Sequence, residues 1–161
     1  MNDLLLIRTG TNLMNRLTVI NGNVDVDKLL PSIWTAQITD IKRILSTDLY
    51  NKILADFDND SLDGEYLKIY DEYVSPMLIF YSTSDFIMKN SIIVGNGGNF
   101  KHKPDNGEIA DYKEVDRLSK YYREMGAHFE IGFYEYMKNI TLPEYKRDCV
   151  DINTFKLPWY L

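Results

Sequence analysis

Cysteine is almost missing from this chain: Cys149 stands alone among 161 residues. No disulfide can form within the chain, and the expectation is a reducing compartment. Histidine is nearly as scarce. His102 and His128 lie far apart on different elements, and with a single cysteine they assemble no zinc site at standard spacing. Long apolar runs are lacking as well. The longest is Met77-Leu78-Ile79-Phe80-Tyr81, against the roughly 20 residues a bilayer crossing requires. The opening Met1 to Ile7 has no basic n-region, and Arg8 interrupts its apolar stretch, so it does not read as a signal peptide. The expectation is a soluble intracellular product. A basic surplus is missing too: 18 basic against 24 acidic residues give a net charge of −6. That balance argues against sequence-independent gripping of a DNA backbone.

The chemistry that is present is ordinary globular chemistry, 45% apolar and 26% charged, which excludes the low-hydrophobicity disorder class. The length suits one domain. Aromatics are the exception, at 13%, with twelve tyrosines. Tyr66, Tyr70 and Tyr73 at helical spacing read as a core stripe. Tyr50, Tyr81, Tyr112, Tyr121, Tyr134, Tyr145 and Tyr160 are too many for the interior of so small a domain, so several are expected at a protein interface.

The expected fold is mainly α: a bundle of four to five helices with one β-hairpin and extended N- and C-terminal arms. Residues 1–24 read as an extended arm, because Leu4 to Ile7 and Leu17 to Ile20 are short and β-prone and an Asn21-Gly22 turn follows. Residues 25–140 read as the helical domain. Its first helix starts near Asp25 with Pro31 in the first turn, and Ile33, Gln37, Ile41, Ile44 and Leu45 follow at 3.6-residue spacing. Ser46 or Thr47 can cap a second helix, and Asp56 to Ser61 reads as an acidic loop. A third helix starts near Leu62. At Pro76 it either ends, with Ser75-Pro76 opening a fourth, or continues through a kink. Ile92 to Lys103 reads as strand, glycine turn, strand, a hairpin at about 91–103. The longest helix spans about Asp111 to Asn139, with a seam of Val115, Leu118, Tyr122, Met125, Phe129, Gly132 and Tyr136. Gly126 and Gly132 would let another backbone come close. Residues 141–161 read as an extended docking tail. Phe155, Leu157, Pro158, Trp159, Tyr160 and Leu161 give it an apolar content that disordered tails lack.

Chemical motifs fail on inspection. Asp56, Asp58 and Asp60 match the first three ligands of an EF-hand loop, but Ser61 replaces the turn glycine and Leu67 the bidentate glutamate. Gly95-Asn96-Gly97-Gly98 lacks the third glycine of a dinucleotide fingerprint and the Gly-Lys-Ser/Thr of a P-loop. No catalytic constellation assembles, so the expectation is a non-enzyme with no cofactor and no metal.

Three stretches carry a resemblance: "AQITDIKRILSTDLYNKI" (Ala36 to Ile53), "YLKIYDEYVSPMLIFYSTSDFI" (Tyr66 to Ile87) and "YYREMGAHFEIGFYEYMKN" (Tyr121 to Asn139). In this order, with a glycine hairpin before the last, the chain resembles the head–tail connector (adaptor, or head-completion) proteins of tailed bacteriophages. It is most similar to those of Bacteroidetes and crAss-like phages, over about residues 25–140. The resemblance implies a structural virion protein made in the host bacterial cytoplasm. Such a protein is a homo-oligomeric ring of about twelve copies at the head–tail junction, in the neck or upper tail barrel, closed by a heterologous interface. Its partners would be the portal protein and adjacent tail or neck rings. DNA would pass through the lumen without specific binding, and no membrane is involved. The hairpin residues Ile92, Val94, Gly95, Gly97, Gly98, Phe100, Lys101 and Lys103 would face the channel or the next ring. The tail residues 155–161 would dock on the portal or a neighbouring subunit. The competing expectation is a non-virion adaptor in a regulatory complex.

Overall fold

A computed structural model describes residues 5–7, 13–20, 24–91, 93–95, 98–100 and 111–146. The fold is mainly helical. In chain order the elements are α1 (Leu13–Leu17), α2 (Val26–Ala36), a π-helical turn (Gln37–Ile41), α3 (Lys42–Leu45), α4 (Thr47–Asp58), α5 (Gly64–Ile69), a second π-helical turn (Tyr70–Val74), α6 (Ser75–Asn90), β1 (Ile93–Gly95), β2 (Gly98–Phe100) and α7 (Tyr112–Tyr136).

The centre of the molecule is α6. Every residue from Met77 to Ser84 is buried, so neighbours must surround this helix. Its hydroxyls are satisfied locally: Ser82 and Thr83 donate to the Ile79 carbonyl at 3.1 and 2.7 Å. α7 runs antiparallel along one side. Ser84 meets Ser119 at 3.0 Å, Phe80 stacks between Tyr122 and Phe129, and Tyr73 packs on Phe133 and Tyr136. α2 lies on another side, also antiparallel to α6, and runs parallel to α7. Asp40 pairs with Arg123 and, further along both chains, Arg43 pairs with Glu130.

Five sequence expectations need correction. Residues 1–24 are not simply an extended arm, because Leu13–Leu17 form a short helix. Buried Met14 and a Thr18 hydroxyl donating to the Met14 carbonyl at 2.7 Å hold it, overriding local β preference. The neighbouring Leu6 is fully buried, with its N–H on Gln37 Oε1 at 2.8 Å and its carbonyl accepting from Tyr70, so this segment lies on its own core. Pro31 sits inside α2 rather than in its first turn; Asp25 is the N-cap and accepts from the Asp27 N–H.

Asp56 and Asp58 belong to α4, which runs through Asp58, so the first half of the acidic stretch is a helix end and only Asn59 to Ser61 are turn and loop. Of the two readings at Pro76, the continuous helix is the one the structure has. Residues 64–90 form one rod with a wide turn in which the Ser75 N–H reaches the Tyr70 carbonyl. Such a turn suits Pro76, whose ring would crowd the carbonyl four residues back and which has no N–H to offer it. In α7 the buried seam is Ser119, Tyr122, Gly126 and Phe133, continued by Met137. It falls one position later than expected at several points: Leu118 is 36% exposed, and Gly126 rather than Met125 meets α6. Both glycines receive a tyrosine ring instead of a backbone, Tyr81 on Gly126 and Tyr73 on Gly132.

The start of α7 follows a capping box. The Asp111 carboxylate accepts from the Glu114 N–H, and the Glu114 side chain accepts from the Asp111 N–H. β1 and β2 pair antiparallel, with Ile93 opposite Phe100, Val94 opposite Asn99 and Gly95 opposite Gly98. They follow α6 and precede α7, at the end of the bundle where those two helices are joined.

Candidate interaction surface

One polar seam fixes how α2 and α7 sit together. Asp40, in the first π-helical turn, is almost fully buried and accepts from both terminal nitrogens of Arg123, at 2.6 and 3.1 Å. The Arg123 guanidinium lies 4.5 Å from the centroid of the Tyr81 ring, so one cation serves a carboxylate and an aromatic face at once. The Tyr81 hydroxyl donates to Glu130 at 2.7 Å, Tyr134 donates to the same carboxylate at 3.2 Å, and Arg43 grips it through two nitrogens. Burial first, and then the bond to Glu130, hold the Tyr81 hydroxyl well above the usual tyrosine range. Burial and the Glu130 charge push Tyr134 up to about 12. These groups neutralise one another. The arrangement is a structural clamp, with each ionised group already committed.

The same clamp orients two apolar patches. Ile38 stands two residues before Asp40, and Tyr121 two residues before Arg123. Two residues along a helix is roughly half a turn around it. The ion pair draws Asp40 and Arg123 together, so Ile38 and Tyr121 are turned away from the α2–α7 seam, each on its own side. Trp34, four residues before Ile38, shares its face, and Leu118, three before Tyr121, adjoins the other. Trp34 is 51% and Tyr121 53% exposed. One domain therefore offers two chemically different apolar patches on opposite flanks. Ile131 and Tyr112 add exposed apolar surface to α7.

A third feature is a groove of about 300 Å³ at the end of the bundle that carries the β-strands. Val19, Ile20 and Val24 form one wall, and Phe86, Ile87, Asn90, Ser91 and Val115 the other. The Val19 N–H donates to the Tyr122 hydroxyl at 2.9 Å, which pins the first wall to α7.

Of the residues expected to make contacts, Val94, Gly95, Gly98 and Phe100 lie in the paired strands. Ile92, Gly97, Lys101, Lys103 and the tail residues 155–161 lie outside the described residues. Among the tyrosines, Tyr50 and Tyr81 are buried, whereas Tyr112 and Tyr121 are exposed. Asp56 is held by Lys52 at 2.7 Å, and no group of metal-ligating side chains forms among the described residues. His128 is exposed, with its ring edge-on to Phe129. No helix among the described residues is long and apolar enough to cross a membrane. Sequence reasoning missed the Trp34–Ile38 patch. Its signal was there: both residues fall outside the buried phase set by Ile33, Gln37, Ile41 and Ile44.

A family pattern matches residues 41–150, more than half of the chain. The chain belongs to DUF6712, a family of unknown function. The DUF6712 match takes in the Tyr121 patch, α6 and both strands, and it begins just after Ile38, so the Trp34 patch lies outside it. No curated protein and no solved structure matches the chain.

Proposed function

We propose that this protein is a structural component of a tailed-phage particle. It would form a ring at the head–tail junction, in the neck or upper tail barrel, linking the portal to the tail and extending the DNA channel. The observation that carries the reading is the pair of unlike apolar patches, Trp34 with Ile38 and Tyr121 with Leu118, on opposite flanks of one rigidly clamped domain. A closed ring requires a heterologous contact in which two different surfaces of each subunit meet head to tail. The resemblance in element order to phage connectors supplies the location.

The charge agrees with that role. A ring whose copies each carry −6 repels the phosphate backbone at long range, so DNA slides instead of sticking. The β1–β2 hairpin would face the channel or the next ring, and the segment 155–161 would dock on the portal or a neighbour once the particle assembles. The chemistry asked of the chain is contact and rigidity, and the reading is non-enzymatic.

Quantitative mass spectrometry of purified particles tests this directly. About one copy per portal subunit is the expected ratio for a ring matched to the portal. Absence from the particle overturns the reading and leaves an adaptor in a regulatory complex.

A further inference from the structure

We infer that the groove between Val19, Ile20 and Val24 and the α6–α7 end is the seat of the chain's own segment 155–161 in the unassembled subunit. The inference does not depend on the ring reading. Three observations lead to it: the shape of the groove, the chemistry of the segment, and the length of chain between them.

The groove holds about 300 Å³ and is walled by Val19, Ile20, Val24, Phe86, Ile87 and Val115. That volume is at the bottom of the range for small-molecule sites and suits one or two large side chains. Val19 is 61% exposed, so part of the apolar wall stands open to water among the described residues. Asn90 and Ser91 at the edge offer the amide and hydroxyl groups that an extended backbone lying across the groove would need. The segment Phe155-Lys156-Leu157-Pro158-Trp159-Tyr160-Leu161 has the matching character. Its large apolar side chains alternate with groups that can stay in water, and its one charge is a lysine.

The connection is of the right length. Tyr145 stacks edge-on against Phe133 with ring centroids 5.6 Å apart, and Lys146 pairs with Asp48 at 2.8 Å. This anchors the last described residues level with Phe133 on α7. Val115, at the groove, is eighteen residues earlier on the same helix, ~27 Å along its axis. From Tyr145 to Trp159 the chain has fourteen residues, which span ~48 Å when fully extended. A flexible chain of that length averages ~20 Å end to end, and a stiffer, proline-containing one more. Effective concentration is greatest when the average reach of a linker matches the span it must cover. The chain's own segment therefore outcompetes a second copy at the dilution of a free subunit.

The test uses the full-length protein with Trp159→p-benzoylphenylalanine, prepared unlabelled and isotope-labelled, mixed in equal amounts and irradiated. The expected products join position 159 to Val19, Ile87 or Val115, with both halves of each product carrying the same label. Val19→Glu, at a position 61% exposed, should abolish those products while leaving the circular dichroism unchanged. Products with mixed labels would mean that a second copy fills the groove, and would overturn the inference. Absence of groove products, or their persistence in the Val19→Glu protein, would overturn it as well. The particle copy number is read separately, so failure here leaves the ring reading standing, and the reverse also holds.

Discussion

Tyr81 and Gly126 share one space: a β-carbon built on the glycine would lie 2.5 Å from Cε1 of the tyrosine ring. The ring cannot yield. Its hydroxyl is tied to Glu130, Arg123 covers its face, and it is 2% exposed. Gly126→Ala should therefore destabilise by ~1–3 kcal/mol through overpacking, despite the gain in helix propensity. At Gly132 the nearest ring atom is 3.4 Å from such a carbon, an ordinary contact. Gly132→Ala should stabilise by up to ~1 kcal/mol. Denaturant titration of the two variants checks both signs, and equal effects would remove the close-approach argument.

The two arginine clamps should differ in strength. Asp40 has 7% side-chain exposure and keeps one hydroxyl donor, Thr39, when Arg123 is lost, so Arg123→Met leaves a desolvated charge without a cation and should cost ~1–3 kcal/mol. Glu130 keeps two tyrosine hydroxyls when Arg43 is lost, and Arg43 is 55% exposed. Arg43→Ala should cost under ~1 kcal/mol. Thermal unfolding at matched salt compares them.

Ser46 joins α3 to α4 with φ 67° and ψ 159°, a region that side chains other than glycine enter at a cost of ~1–3 kcal/mol. Its hydroxyl makes one long contact, to the Glu144 carbonyl at 3.4 Å, and its own carbonyl accepts from the Tyr50 N–H, a bond that glycine would keep. Ser46→Gly should raise stability by about 1 kcal/mol, read as a higher denaturation midpoint with unchanged slope.

Alkali should unfold the protein in a defined window. Tyr66, through its hydrogen bond to Glu144 and through burial, and Tyr134, through burial and the Glu130 charge, are both raised from 10 to about 12. A raised folded pKa means the native state holds these protons more tightly than the unfolded chain does. Their contribution is complete below pH 10 and is lost as pH climbs through about 12. Melting temperature should fall over that interval, and less steeply in Tyr134→Phe.

Trp34→Glu and Tyr121→Glu should each fold normally, since both side chains are exposed, and each should fail to assemble. A mixture of the two variants retains one intact patch of each kind, so head-to-tail pairing predicts complexes that stop at two subunits. Analytical ultracentrifugation at high concentration reads this out; higher assemblies in the mixture would argue against two distinct patches.

Much of this was legible in the sequence, and the failures have physical causes. The buried set Ile33, Gln37, Ile41, Ile44 and Leu45 followed from helical spacing, and all five are buried. The kinked continuous rod through Pro76 was one of two readings, and the wide turn ahead of the proline decided between them. The α7 seam slipped because Ser119 and Gly126 are small. Size complementarity with α6, not hydrophobicity, puts them inside, and a hydrophobic pattern passes over them. The burial of Asp40 had no local signal, because its partner Arg123 is distant in sequence and only tertiary packing makes that burial tolerable. The Leu13–Leu17 helix had no local signature, since its stability comes from where Met14 ends up.

The two wide turns carry a further consequence. Each holds one residue more than an α-helical turn, so the rod beyond it is rotated relative to the rod before it, like a screw whose thread has been offset. Lys42 reaches back to Gln37, and Ser75 to Tyr70, and in each case the helix survives the added residue without a break. Losing a single codon within either stretch would restore an even thread and swing the Asp40 or Tyr73 side chain off its present partners. In an alignment of relatives, a one-residue gap at either place would mark a change of neighbour between helices, not a change of helix length.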